Sequence, residues 1–71
     1  MTIPDIKHHL IDAMKARIMA ENWTQTDAAE AMGLTQPRIS SLVNYEIHCF
    51  TIDKLVDFCG RLRITVEVQV K

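Results

Sequence analysis

QTDAAEAMGLTQPRISSLVN, residues Gln25 to Asn44, decides how this chain folds. Gln25, Ala29, Gly33, Ile39 and Leu42 stand at positions 1, 5, 9, 15 and 18 of that window. The spacing suits two helices that meet at a steep angle through a very short turn. A small residue, Ala29, fits the crossing, and Gly33 can take φ > 0 to end the first helix without a Cβ clash. Ala28, Met32, Leu34, Ile39 and Leu42 then fall on the inner faces of the two helices. The outer face of the second helix stays polar, with Gln36, Arg38, Ser40 and Ser41.

A polar helix held rigidly against another is the usual device for reading the major groove of DNA, so the window predicts a helix-turn-helix. An ordinary αα-hairpin in a bundle would explain the apolar positions. It would not explain Thr35 as an N-cap directly before a solvent-facing Gln36-Pro37-Arg38 start. Gln36 can read adenine through a bidentate amide contact, and Arg38 could reach either guanine or a phosphate. Pro37 offers apolar surface to a thymine methyl, and Ser40 and Ser41 can contact bases or backbone. Gln25 can donate to a phosphate and brace Gln36. Thr24 and Asn44 are further phosphate donors, and Thr35 completes the DNA-facing set. A solvated face is the rival reading of all nine.

The remaining composition sets bounds. Seventy-one residues make one small domain, 1–71, and below roughly 80 residues oligomerisation is a common source of extra stability. A hydrophobic content of 48% is that of a globular chain. No run is long enough to span a membrane and no signal peptide is evident, so a cytoplasmic location is expected. The net charge of −1, with eight Lys and Arg, is low for a nucleic-acid binder. Weak non-specific binding, strong salt sensitivity and a need for two copies on the DNA follow.

Outward from the window, Pro4 and Asp5 open a first helix, with Thr2 or Ile3 just outside it. Ile6, Leu10, Met14 and Ile18 recur at helical spacing beside Ile11, and the helix is expected to end near Glu21-Asn22. Trp23 reads as core at the junction before the motif. Thr24 can N-cap the second helix, and Asp27 in its first turn suits the positive helix end. Asn44 is expected to terminate the third helix, and Tyr45 to Phe50 to form a loop. Thr51 is a good N-cap for a fourth helix, whose expected apolar face is Ile52, Leu55, Val56, Cys59 and Leu62.

Arg63 to Lys71 changes period. Ile64, Val66, Val68 and Val70 alternate with Thr65, Glu67 and Gln69, which predicts a half-buried strand over about 63–70. A lone strand cannot satisfy its own backbone groups, so it must pair with its own copy or with another protein. In an antiparallel two-fold pair, centring on Glu67 would oppose like charges. Centring on Thr65 puts Arg63 opposite Glu67, and centring on Gln69 puts Glu67 opposite Lys71. A two-stranded ribbon between subunits, centred near Thr65, is expected, with Arg63, Ile64, Thr65, Val66, Glu67, Val68 and Val70 as the dimer interface.

Little else could carry chemistry. His8 and His9 point about 100° apart on a helix and do not chelate together. His48-Cys49 has no second ligand pair at metal spacing. No nucleophile elbow, phosphate loop or convincing carboxylate pair occurs. Neither an enzyme nor a metal or other cofactor is expected. Cys49 and Cys59 form no C-x-x-C motif and read as free thiols, Cys59 as a small buried hydrophobe.

The window Trp23 to Asn44, followed by FTIDKLVDFCGRLRITVEVQV, resembles the Cro/C1-type (Xre) helix-turn-helix family over about Ile11 to Val70. TQPRIS and the Phe-Thr-Ile-Asp-Lys-Leu restart are the most specific pieces. The resemblance is to a compact branch in which one strand follows the fourth helix. It implies a mainly α, lambda-repressor-like domain of four or five helices with a C-terminal β-strand pairing between subunits. It also implies a bacterial or phage regulator that represses its own operon as a dimer on a palindromic operator. Members are often antitoxins of toxin–antitoxin pairs, similar to HigA-type proteins, so a cognate toxin is an implied partner. By the same resemblance Gln25, Gln36, Pro37, Arg38 and Ser41 match DNA-facing positions. One departure is that glycine or a basic residue commonly follows the third helix, whereas here Asn44 precedes Tyr45, Glu46 and Ile47.

Overall fold

The computed structural model describes residues 2–64. Four α-helices account for most of them: α1 Ile3–Ala20, α2 Gln25–Met32, α3 Gln36–Val43 and α4 Ile52–Arg61. A short 3-10 turn, Ile47–Cys49, separates α3 from α4. The expected strand over 63–70 lies, from Thr65 onward, outside the described residues, and no strand occurs among the residues described.

Each helix start is written in a Thr. Thr2 and Thr24 each accept from the backbone N–H three residues on, and the Asp at that third position accepts back from the Thr amide. Those hydrogen bonds from Thr2 hold the Asp5 carboxyl below its ordinary pKa. Thr51 accepts from Lys54 N at the head of α4. Thr35 occupies the N-cap of α3 with extended φ and ψ, but its side chain makes no capping bond. The expected cap is therefore one of position only, and its hydroxyl is left for another partner.

Every helix ends the same way. Asn22, Gly33, Tyr45 and Arg63 all take left-handed φ, between 58° and 69°. In each case the next amide reaches back five residues: Trp23 to Ile18, Leu34 to Ala29, Glu46 to Ser41 and Ile64 to Cys59. This is the Schellman closure, which satisfies carbonyls that a helix end would otherwise orphan. Only Gly33 is a glycine.

The core is continuous through all four helices. Leu10, Ile11 and Met14 of α1 meet Ala28, Ala29 and Met32 of α2, Ile39 and Leu42 of α3, Leu55, Phe58 and Cys59 of α4, and Leu62 at the C-cap of α4. α1 packs chiefly on α4, and α2 on α3. Ile6, Ile18, Trp23 and Leu34 are partly buried against this core. Two expectations need correcting. Val56 is 40% exposed, and Phe58 is buried in its place. At 100° per residue, Phe58 lies within about 60° of Leu55 on the wheel whereas Val56 lies about 100° away on the solvent side. The segment Tyr45 to Phe50 is also more than a loop, since it contains the 3-10 turn and ends in Phe50, 2% exposed. Phe50 stands edge-to-face with Phe58, centroids 6.2 Å apart.

Candidate nucleic-acid interface

α2 and α3 are joined by Gly33, Leu34 and Thr35 alone. Gly33 is needed twice there. Its φ of +69° ends α2, and a Cβ on it would meet the Arg61 guanidinium at 2.5 Å. Arg61 crosses over the glycine to donate to the Met32 carbonyl at 3.1 Å, and it also pairs with Asp57 on its own helix. A cation at the negative end of α2 is favourable, so α4 caps the turn that sets the angle of α3.

α3 buries Ile39 and Leu42 and turns its other face outward. Gln36, Pro37, Arg38 and Asn44 are exposed, and Ser40 and Ser41 are half-buried. Thr24 and Gln25, at the head of α2, and Thr35, at the head of α3, are exposed as well. Seven of the nine sequence-derived candidates are thus exposed and two are half-buried. No hydrogen bond joins Gln25 to Gln36 among the described residues, so the expected brace between them is not formed in the free protein. Asn44 Nδ2 donates to Ser40 Oγ at 3.4 Å, which ties two of the candidates to each other.

Both ends of α3 are clamped by a cation, an aromatic ring and a backbone carbonyl. At the C-terminal end, Lys15 of α1 donates to the Val43 carbonyl at 3.2 Å, its ammonium 4.4 Å from the Tyr45 ring centroid. The Tyr45 hydroxyl donates to Asp12, and the His8 ring lies 5.3 Å away. At the N-terminal end, Arg38 donates to the Cys49 carbonyl at 3.4 Å, with its guanidinium carbon 4.5 Å from the Phe50 centroid. A third cation, Lys7 of α1, donates to the Ile47 carbonyl at 3.1 Å. Tyr45 resolves the departure noted in the sequence. It occupies the left-handed position where a glycine would be unstrained, and its ring and hydroxyl tie that stop to α1.

These clamps change the reading of the charge. Of the eight Lys and Arg, Lys7, Lys15, Arg38 and Arg61 donate to backbone carbonyls, and Arg17 pairs with Glu21. Sequence reasoning missed Phe50, Tyr45 and Arg61 as supports of α3. The only available signals were an aromatic after a loop and a cation near a helix end, and both patterns are common. No group of His, Cys, Asp or Glu able to hold a metal occurs among the described residues, and none of their helices is long and apolar enough to cross a membrane.

A family model described as a helix-turn-helix domain matches residues 3–71. A solved structure named "Putative XRE Family Transcriptional Regulator" is similar to this chain with a TM-score of 0.88 and 29% identity. That similarity covers 97% of this chain and 78% of the other. No curated protein matches by sequence.

Proposed function

Since the chain belongs to the XRE-type helix-turn-helix family, we propose that it is a sequence-specific DNA-binding transcriptional regulator. One observation carries this reading. α3 and its C-cap leave Gln36, Pro37 and Asn44 exposed and Ser41 half-buried while cations engage both ends of the helix, so a polar surface is held in place with no internal use for most of it.

In this reading α3 lies in the major groove. Gln36, Pro37, Ser40 and Ser41 meet base edges, and Thr24, Gln25, Thr35 and Asn44 meet phosphates. Two copies bind a palindromic operator, their recognition helices about 34 Å apart on successive grooves. The copies associate through the C-terminal segment, Arg63, Ile64, Thr65, Val66, Glu67, Val68 and Val70, as an antiparallel ribbon. The regulator represses its own operon and serves as the antitoxin of a toxin–antitoxin pair.

A second reading is favoured by the charge. With a net charge of −1 and four cations engaged on carbonyls, neutralising a protein partner is the alternative principal task. Selection of genomic DNA fragments by the purified protein, at low and then moderate salt, separates the two. Enrichment of a short palindrome, above all upstream of the protein's own gene, is the expected result. Retention without an enriched sequence, or no retention, shifts the assignment to partner neutralisation.

A further inference from the structure

Arg38 is the only charged side chain on α3, and the groove-reading surface would ordinarily be built around it. Its placement points elsewhere. Its guanidinium lies 4.5 Å from the centroid of Phe50, a ring only 2% exposed. The Phe50 ring is packed edge-on against Phe58 of α4. Arg38 also donates to the Cys49 carbonyl, next in chain to that ring. The side chain therefore runs from the first turn of α3 to the 3-10 turn and lies over the Phe50 ring while staying exposed, so its guanidinium is engaged beside the outward face. The arrangement matches Lys15 with Tyr45 and the Val43 carbonyl at the other end of the helix, where the cation comes from α1 and has no route to DNA bases through α3.

We infer that Arg38 is a positioning residue: it holds the N-terminal half of α3 on Phe50 and the 3-10 turn, and base reading is left to the neutral residues of α3, with Gln36 and Ser41 foremost beside Pro37 and Ser40. This inference rests on the DNA-binding reading for its functional consequence, although the clamp itself does not. A neutral pair suits a half-site in which an adenine faces the Gln36 amide and no guanine is held by a bidentate arginine. A guanidinium covering a ring and bonded to a carbonyl is already partnered, so pulling it out to a base would uncover Phe50 and give up the bond to Cys49 O.

The test compares wild type with Arg38→Lys and Arg38→Met. Lys retains a cation that can sit over Phe50, while Met retains only an apolar cover. Four readouts are taken below the melting range of every variant: affinity for the selected operator, the dependence of that affinity on salt, affinity for operators with each base pair substituted, and amide exchange at Cys49 and Phe50. Arg38→Met is expected to weaken binding roughly tenfold on every operator alike, to leave the salt slope unchanged and to speed exchange at both amides. Arg38→Lys is expected to restore most of both. A loss confined to one base pair, or a salt slope shallower by about one per subunit, would make Arg38 a base or phosphate ligand and overturn the inference. If wild type binds no DNA, the functional reading fails on its own, and unchanged amide exchange in Arg38→Met overturns the clamp separately.

Discussion

Gln36 and the two cysteines show how much a single side chain's surroundings decide. Gln36 is the first residue of α3, exposed, with no hydrogen bond among the described residues that would restrain its amide. Gln36→Ala should leave the fold unchanged and alter which bases the protein prefers, at a cost of about 1–3 kcal/mol of discrimination at one position. Repeating the genomic selection with that variant checks it, and an unaltered motif would remove Gln36 from the readout. Cys49 is exposed, whereas Cys59 is fully buried with its thiol directed at the Leu10 carbonyl, and burial pushes that thiol up. Because the thiolate is the reactive form, a maleimide should modify one cysteine quickly in the folded protein and the second only on unfolding. Equal rates would contradict the burial of Cys59.

At the scale of the element, helix ends matter more than helix middles. Gly33→Ala must place a Cβ in the left-handed region, which costs about 1–2 kcal/mol, and must also displace Arg61 from the Met32 carbonyl. Chemical denaturation should therefore show a larger loss for Gly33→Ala in wild type than in an Arg61→Met background, where the guanidinium is already gone. Equal losses would mean that Arg61 yields at no cost. Lys15→Met removes both the bond to Val43 O and the cation above Tyr45. The left-handed Tyr45 then loses part of its compensation, and hydrogen exchange at the Tyr45 and Glu46 amides should accelerate before any change in the core of α1. The starts of α2 and α4 were legible in the sequence because Thr24 and Thr51 cap locally, whereas at α1 the sequence left Thr2 or Ile3 as the residue just outside the helix. Thr35 was equally legible as a position but not as a bond, since hydroxyl orientation is not set by sequence spacing.

For the whole molecule, the placement of charge governs binding more than its sum does. By count alone, a chain with eight cations is expected to lose affinity steeply with salt. With four of them donating to carbonyls and Arg17 paired with Glu21, a dimer should neutralise few phosphates, and the slope of log K against log salt should be on the order of −5 or shallower. Titrations of the selected operator across salt concentrations measure it directly. A slope near −10 would mean that the clamping cations leave their carbonyls on binding DNA. The same placement makes the fold compact without any buried charged or polar residue among those described, so its stability rests on one apolar core and the capped helix ends.

The sequence by itself determined the order of the helices, the turn at Gly33 and most of the core. Apolar spacing, Thr caps and a left-handed glycine act within a few residues of one another, and that is the range over which sequence pattern constrains structure. It determined the outward face of α3 for the same reason, since Ile39 and Leu42 assign the opposite side to solvent. The burial of Phe58 rather than Val56 was already implied by the wheel of α4, and only the tertiary structure decided that Phe50 is buried edge-to-face against Phe58. It also decided the destinations of the long cationic side chains. Lys7 reaches a carbonyl 40 residues away, Arg61 one 29 residues away and Lys15 one 28 residues away. Flexible side chains of that kind take their partners from whatever the fold brings near, and no local pattern encodes the choice.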